Sequence, residues 1–252
     1  MTVEVQYPFL DWPYPIAFAH RGGAGDHPEN SMAAFQAAID LGYRYLETDV
    51  HTTADGMLVA FHDHRLDRVT DRSGRIAALP WSVVREARVG TSDERIPLLE
   101  DILGAWPEAR VNVDPKHDAA VEPLVDTLRR VNAFDRVCVA AFSDRRLGRV
   151  RRLTEGRVCT AAGPGEITRL RIASFAVPAG RIRAACVQVP PTVGGRRLVD
   201  RRFLDTAHRL LLPVHVWTVN DKADMERPLD LGVDGIMTDR PRLLRDLIAA
   251  RG

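Results

Sequence analysis

The sequence predicts a single (β/α)8 barrel, and three observations carry that prediction. Short apolar runs alternate with helix-like segments from residue 16 to residue 250, which indicates one parallel sheet. The length of 252 residues is typical of one such barrel. Polar side chains gather at the ends of the apolar runs, as in an α/β active site. No linker divides residues 1–252, so we expect one domain, with a doubly wound open sheet as the structural alternative.

The first elements are an aromatic lead-in, a strand and a helix. We expect the side chains of the lead-in to cap one end of the domain. Residues 16–20 read as a strand because they form an apolar run that ends at a polar residue. Asn30 is the predicted N-cap of a helix over residues 32–41, which Gly42 ends. The aromatic residues of the lead-in are Tyr7, Phe9, Trp12 and Tyr14.

A second strand follows, and the turn Asp55-Gly56 predicts a hairpin into a strand that ends at His62. Residues 64–96 show little periodicity and read as a loop-rich insertion. A helix is expected to begin near Ile96, with Pro97 near its first turn. The remaining strands are predicted at residues 110–116, 137–142, 158–163, 184–189, 213–219 and 235–238. The helices between and after them are predicted at 118–132, 143–154, 165–174, 200–210, 221–231 and 241–250.

Composition and charge exclude several classes of function. The chain has 35 basic and 34 acidic residues and a net charge of +1, so it offers no broad basic face for nucleic acid. The prolines near the N-terminus do not fit a signal peptide, and no apolar run reaches membrane-span length. Cys138, Cys159 and Cys186 lie inside strand-like runs and read as buried reduced thiols. We therefore expect a cytoplasmic protein without a membrane span.

Glu47 and Asp49 are the first candidate metal ligands. Residues i and i+2 of a strand share a face, so these two carboxylates, and with them His51, point the same way. Adjacent carboxylates repel each other unless a cation or a proton lies between them. The pair therefore indicates either a hard-metal site or an ion pair with a nearby arginine.

The run V-N-V-D-P-K repeats this alternation and adds a third carboxylate. Asn112, Asp114 and Lys116 share one face, which in a barrel is the lumen or its mouth. Three carboxylates suit Mg²⁺ or Ca²⁺, which prefer oxygen ligands. The sequence His62-Asp63-His64 does not match the ligand spacing of a zinc site.

The positive charges and imidazoles indicate chemistry on a phosphodiester. Arg21 and Lys116, close to a divalent cation, fit an anionic phosphate diester. His20 and His62 can supply the acid and the base that P–O cleavage needs near neutral pH. Trp217 is expected to pack against the rest of the substrate. Phe142 and Gln188 are weaker candidates for the same wall.

Seven segments, in this order along the chain, resemble the glycerophosphodiester phosphodiesterase family. The resemblance covers nearly the whole sequence. It implies a TIM barrel and metal-dependent hydrolysis of glycerophosphodiesters to sn-glycerol 3-phosphate and an alcohol. The segments are H-R-G at 20–22, P-E-N-S at 28–31, E-T-D-V at 47–50, D-G-M-L-V-A-F-H-D at 55–63, I-P-L-L-E-D-I-L at 96–103, W-T-V-N at 217–220 and D-G-I-M-T-D-R-P at 234–241.

The resemblance also implies roles for individual residues. The two histidines are similar to the family's acid/base pair, Glu47 and Asp49 to its metal ligands, and Arg21 and Lys116 to its phosphate contacts. Asp114 departs from the family, which usually has glutamate two residues before the lysine. The choice between Mg²⁺ and Ca²⁺ is therefore open. The 64–96 segment occupies the position of the family's insertion over the substrate mouth.

Two other functions compete with this one. A phospholipase D-like enzyme acting on lysophospholipids would need an apolar entry to the site. We expect that entry, if present, on the insertion, whose apolar residues would then be exposed. A catalytically inactive barrel that binds phosphodiesters is the alternative from a different class. The apolar residues of the insertion are Ile76, Ala77, Ala78, Leu79, Trp81, Val83 and Val84.

Overall fold

A computed structural model describes residues 7–13, 15–25, 27–178 and 180–251. Tyr14, predicted to cap one end of the domain, lies outside these residues. In the described residues the main sheet has nine strands, eight of them parallel. The parallel strands are β1 (Ile16–His20), β2 (Tyr45–Thr52), β4 (Arg110–Pro115), β5 (Val137–Val139), β6 (Cys159–Thr160), β7 (Val187–Val189), β10 (Val214–Val216) and β11 (Gly235–Thr238). The ninth strand, β3 (Leu58–Ala60), is paired antiparallel with β2, while β8 (Thr192–Val193) and β9 (Arg196–Arg197) form a separate hairpin.

The eight parallel strands close into a barrel, which confirms the predicted fold class. Neighbouring strands pair in the order β6, β5, β4, β2, β1, β11, β10, β7. The two ends of this row meet through one parallel bridge between Ala161 and Cys186. The Ala162 N–H donates to the Cys186 carbonyl at 2.9 Å, and the Ala185 N–H donates to the Thr160 carbonyl at 2.9 Å. The β6–β7 seam therefore has the least regular pairing in the barrel.

Helices cover the outside of the sheet between successive strands. The helices are α1 (Met32–Asp40), α2 (Trp81–Val84), α3 (Leu99–Ala105), α4 (Val121–Arg130), α5 (Asp144–Leu153), α6 (Pro164–Ala173), α7 (Arg201–Arg209), α8 (Lys222–Leu231) and α9 (Pro241–Ala249). The predicted ends of the longer helices α1 and α4 to α9 differ from the observed ends by at most three residues. Among the described residues, no helix is both long and apolar enough to cross a membrane.

Two predicted helix starts were wrong. Ser31, and not Asn30, is the N-cap of α1, because its hydroxyl accepts the Ala34 N–H at 3.2 Å. Asn30 has a φ of 57°, and its side-chain oxygen accepts the Thr48 hydroxyl at 2.8 Å. Helix α3 begins at Leu99, so Pro97 lies before its first turn. The Pro97 carbonyl instead accepts the Ala60 N–H at 2.9 Å, which extends the sheet.

The hairpin and the insertion lie beside β2. Strand β3 pairs antiparallel with β2, as the Asp55-Gly56 turn predicted. The insertion has a 3-10 turn at Ile76–Ala78 and the single-turn helix α2. Its apolar side chains form a small core of their own, which includes Leu66, Ile76 and Val84.

The alternation of side chains along the strands separates two layers of the molecule. Leu46 on β2 and Val111 and Val113 on β4 pack outward against the helices. The residues between them point into the lumen, where the upper part is polar and the lower part is apolar and aromatic. The predicted strand parity is therefore confirmed for β2 and β4.

Candidate active site

A cavity of about 380 Å³ opens at the carboxyl ends of the barrel strands. All eight residues predicted for the site line it, as do Phe142 and Gln188. The strands converge on this mouth, so residues from distant parts of the sequence meet there. The eight residues are His20, Arg21, Glu47, Asp49, His62, Asp114, Lys116 and Trp217.

A tight turn after β1 positions Arg21. Arg21 has a φ of 52° and Gly22 a φ of 83°, and both values fall in the left-handed region. A Cβ atom at Gly22 would lie 2.7 Å from the Cβ of Ala34, so only glycine fits against α1. The turn directs the Arg21 backbone N–H to Glu47, which accepts it at 3.1 Å.

Glu47, Asp49 and Asp114 are all buried at the floor of the mouth. The Lys116 Nζ lies 2.5 Å from Asp49 Oδ1 and 2.8 Å from Asp114 Oδ2, so one ammonium group bridges both acids. Burial, followed by repulsion from Asp49, raises the pKa of Glu47. Burial also raises the pKa of Asp114, although Lys116 opposes this effect. The floor therefore brings three acids together, two of which share one lysine.

These residues fit a divalent cation. Asp49 Oδ2 and Asp114 Oδ1 are buried and have no hydrogen-bond partner. Arg21 Nε lies 3.2 Å from Asp49 Oδ2, but it makes no hydrogen bond there. Unsatisfied carboxylate oxygens are costly in a protein interior unless a cation takes them up. The ligand oxygens of the three acids are not, however, all within 4.8 Å of one another. In the part of the chain that the structure describes, only three cysteines meet that distance as a group of three or more potential ligands.

His20 is held at the end of β1 by two acids. Its Nδ1 lies 2.6 Å from Asp239 Oδ1, and its Nε2 lies 3.8 Å from Glu47 Oε2. Burial disfavours the imidazolium, but the Glu47 charge and the Asp239 hydrogen bond outweigh it and raise the pKa of His20. Asp239 is itself fixed by Asn220, whose side-chain amide donates to it at 2.7 Å.

His62 is held in a similar way on the opposite side of the charged group. Its Nδ1 lies 2.6 Å from Asp63 Oδ1. Arg68 Nε donates to Asp63 Oδ2 at 2.5 Å and holds the pKa of Asp63 low, at about 2. In both histidines a carboxylate fixes Nδ1, so Nε2 is the nitrogen available to a substrate.

An ion-pair chain joins the two histidine sites. Glu29 accepts Arg21 Nη1 at 3.2 Å and Arg68 Nη2 at 2.6 Å, and Arg68 continues to Asp63. Residue-by-residue reasoning from the sequence missed the parts played by Asp63 and Asp239. The signal was present, because each acid belongs to a motif, H-D at 62–63 and T-D-R-P at 238–241.

The other half of the cavity is apolar. Phe142 and Trp217 pack edge to face with ring centroids 5.5 Å apart, and Phe142 is 68% exposed. Val193 and Leu198, next to the β8–β9 hairpin, extend this wall. On the insertion, Ile76 and Val84 are buried, Leu79 and Trp81 are half-buried in its own core, and Ala77, Ala78 and Val83 are exposed. None of these residues lines the cavity, so the insertion gives it no apolar entry.

His51 lies below the charged half and is buried. Its Nε2 lies 3.0 Å from the His62 carbonyl oxygen. Burial lowers the pKa of His51 to about 4, so this imidazole stays neutral at neutral pH. It supports the backbone that carries His62.

Comparisons with known proteins agree with this geometry. Residues 20–243 match the glycerophosphoryl diester phosphodiesterase family. A protein of Mycobacterium tuberculosis, described as a probable glycerophosphodiester phosphodiesterase, is 43% identical over 100% of this chain and 96% of its own length. A human lysophospholipase D is 29% identical over 91% of this chain and 85% of its own length.

Solved structures share the fold. A glycerophosphodiester phosphodiesterase from Agrobacterium tumefaciens has a TM-score of 0.75 and 21% identity, and the match covers 92% of this chain and 99% of that one. A phosphodiesterase from Oleispira antarctica, solved with the product sn-glycerol 3-phosphate, has a TM-score of 0.78 and 20% identity, with coverage of 94% and 97%. The family match over residues 20–243 and the relative of 43% identity show that the chain belongs to the glycerophosphoryl diester phosphodiesterase family.

Proposed function

We propose that this protein hydrolyses glycerophosphodiesters to sn-glycerol 3-phosphate and an alcohol, with a divalent cation and with His20 and His62 as acid and base. One observation carries the proposal. Two imidazoles, each held by a carboxylate at 2.6 Å, line a cavity that also contains three acids, an arginine and a lysine. That set matches what P–O cleavage of an anionic diester requires.

Glu47, Asp49 and Asp114 would hold the cation, which is Mg²⁺ or Ca²⁺. The unsatisfied oxygens of Asp49 and Asp114 support this assignment. When bound, the ion supplies positive charge that offsets the charge of the diester. Asp49 and Asp114 each share one oxygen with Lys116, which leaves the other oxygen of each carboxylate to the ion.

The histidines exchange protons with the substrate in two stages. One imidazole accepts the proton of the glycerol hydroxyl next to the ester as that oxygen bonds to phosphorus. The bond from phosphorus to the alcohol oxygen breaks, and the other imidazole protonates that oxygen. Water then bonds to phosphorus and gives a proton to the imidazole that protonated the alcohol, while the bond from phosphorus to the attacking glycerol oxygen breaks and the first imidazole returns its proton to that oxygen, which yields sn-glycerol 3-phosphate. Arg21 and Lys116 neutralise the phosphate oxygens during both stages.

The test is release of sn-glycerol 3-phosphate from glycerophosphocholine and glycerophosphoethanolamine. The protein is first treated with EDTA, and Mg²⁺ or Ca²⁺ is then added back. We expect release that stops with EDTA and returns with one of the ions. A folded protein that releases no product under any of these conditions, while it still binds the diester, would support the inactive binding barrel and overturn the proposal.

A second candidate substrate is a lysophospholipid, and the exposed apolar wall favours it. Phe142, Val193 and Trp217 could take up an acyl chain next to the phosphodiester. The sequence similarity to a lysophospholipase D points the same way. Incubation with lysophosphatidylcholine tests this candidate, because the same bond cleavage would release free choline and leave an acylated glycerol phosphate.

A cytoplasmic location is part of the proposal. The three cysteines are buried and free, which fits a reducing compartment. Fractionation of the source cells, with detection of the native protein, tests it.

A further inference from the structure

A cluster of three cysteines lies in the barrel lumen beneath the cavity. Cys138 is on β5, Cys159 on β6, and Cys186 immediately precedes β7. All three are buried and free. Cys138 and Cys159 are register partners, and Cys186 bridges to the residue two positions beyond Cys159. Three neighbouring strands therefore present a thiol each at one level of the lumen.

The spacing of the sulfur atoms matches a tetrahedral thiolate site. All three Sγ atoms lie within 4.8 Å of one another, and those of Cys138 and Cys186 are 3.8 Å apart. Zinc–thiolate bonds of about 2.3 Å in a tetrahedron place two sulfur atoms about 3.8 Å apart. The cluster has the size of such a site without any rearrangement of the strands.

His215, on the neighbouring strand β10, is the candidate for a fourth donor. Its side chain is fully buried, and neither ring nitrogen has a hydrogen-bond partner. His215 pairs with Gln188, two residues beyond Cys186, and its ring nitrogens do not come within 4.8 Å of all three sulfur atoms, so the ring would have to turn toward them to bind the ion. A buried imidazole without a partner is costly, and a metal bond to one nitrogen would remove that cost in part. Gly235 makes room for the ring, since a Cβ there would lie 2.9 Å from His215 Cδ2.

We propose that Cys138, Cys159, Cys186 and His215 bind one structural zinc ion in the barrel lumen, separate from the cation of the active site. Thiolate and imidazole ligands select zinc over Mg²⁺ and Ca²⁺, which require oxygen. Binding releases the three thiol protons to solvent and leaves the imidazole neutral. Three thiolates and one Zn²⁺ give the closed site a net charge of −1.

The position of the cluster indicates what the ion does. The β6–β7 seam, which has the least regular pairing in the barrel, runs through it. The ion would join β5, β6, β7 and β10 at this seam. Two residues farther along the same four strands come Ala140, Ala161, Gln188 and Trp217, which line the cavity. A zinc ion at this level would therefore hold the apolar half of the cavity in place from below.

The first experiment measures metal directly. The untagged protein is purified, dialysed against EDTA to remove loosely held ions, and analysed for zinc by mass spectrometry. We expect one zinc per chain. Replacement of zinc by Co²⁺ should give the thiolate-to-cobalt charge-transfer absorption and the strong visible bands of a tetrahedral site. Because this measurement uses the unaltered chain, it does not depend on the folding of any variant.

Matched variants locate the ion. Cys138→Ser should lose the zinc. His215→Gln should lose the zinc or bind it more weakly, and its cobalt spectrum should change. Val139→Ala, on the same strand but facing the helices, and His208→Gln, on the surface, should keep one zinc per chain. The proposal would be overturned if the chain contained no zinc, both as purified and after refolding with zinc, and gave no thiolate-to-cobalt absorption after refolding with Co²⁺. Zinc that survives Cys138→Ser, Cys159→Ser and Cys186→Ser together would also overturn it.

Discussion

The two halves of the cavity differ in origin and in character. Strands β1, β2 and β4, the residues that directly follow β1 and β4, and the loop after β3 supply every charged side chain that lines the cavity, while Asp239, which contacts His20, follows β11. Strands β5, β6, β7 and β10 and the residues that follow them supply mostly apolar side chains, with Gln188 and Thr218 as the polar ones. The charged half is bound together by ion pairs at 2.5 to 3.2 Å. The apolar half is open to solvent at Phe142.

The difference separates two tasks. Charges fixed in a buried network do not need to reorganise during the reaction, so the charged half is suited to bond cleavage. An exposed apolar wall makes few directional contacts and can accept groups of different shapes, so the other half is suited to selection of the substrate. Changes in the charged half should therefore alter kcat, and changes in the apolar half should alter KM.

The largest effect is expected from loss of either histidine. His20→Ala and His62→Ala should each lower kcat by roughly 10²–10⁴, because each removes a proton donor or acceptor from the transition state. KM should change little. Steady-state kinetics with glycerophosphocholine measures both quantities. His64→Ala, an exposed residue two positions beyond His62, is the matched control and should keep the wild-type rate. A wild-type rate for either variant would remove that histidine from the mechanism.

A smaller effect in the charged half is expected from Asp114→Glu. The longer acid restores the residue usual in the family, so it should keep activity within about tenfold and shift the preference between Mg²⁺ and Ca²⁺. Activity is titrated with each ion after EDTA treatment. Asp126→Glu, an exposed helix residue, is the control. Complete loss of metal-dependent activity would show that the site requires the shorter side chain.

In the apolar half, Phe142→Ala should raise KM about fivefold for lysophosphatidylcholine. The change removes an aromatic contact worth roughly 1 kcal/mol. The KM for glycerophosphocholine and both kcat values should stay near wild type. Phe175→Ala, also exposed but outside the cavity, is the matched control. A fall in kcat for Phe142→Ala with both substrates would place this ring in the chemistry and break the division of tasks.

Acid sensitivity should also come from the charged half. Burial lowers the pKa of His51 from 6.5 to about 4. Between these values the unfolded chain binds a proton that the folded protein does not. The stability from neutral His51 is therefore complete above about pH 6.5 and falls as the pH drops toward 4. His51→Gln should reduce the loss of unfolding free energy in this range by an amount on the order of 2 kcal/mol, which thermal unfolding shows as a smaller fall of Tm.

The exposed His27→Gln serves as the control and should keep the wild-type slope of Tm against pH. An unchanged slope for His51→Gln would show that His51 titrates alike in the folded and unfolded chain. The loss of stability at acid pH would then come from protonation of the carboxylates.

The sequence predicted the fold and most of the charged half because both depend on local patterns. Strand parity alone placed Glu47, Asp49 and Asp114 in the lumen, and the repeated strand–helix units predicted eight strands. The helix start at Asn30 was wrong because Ser31 has an equally suitable side chain, and the choice depended on contacts with Thr48. The sequence left open an apolar entry on the insertion, and none forms at the cavity because the insertion packs its larger apolar side chains into its own core.

Other features depend on contacts between distant segments. Asp239 holds His20 from 219 residues away in the sequence, and no local pattern links them. The three cysteines were predicted to be buried, but their convergence depends on the stagger of β5, β6 and β7 around the barrel. Register between strands is set by the closed barrel as a whole, so the cluster appears only in three dimensions.

The most direct test of the division between the two halves compares one variant from each with two substrates. Values of kcat and KM are measured for the wild type, His20→Ala and Phe142→Ala with glycerophosphocholine and with lysophosphatidylcholine. The account predicts that His20→Ala lowers kcat for both substrates by the same factor, and that Phe142→Ala raises only the KM for the acylated one. Equal kinetic changes in the two variants, or a kcat loss confined to Phe142→Ala, would contradict it.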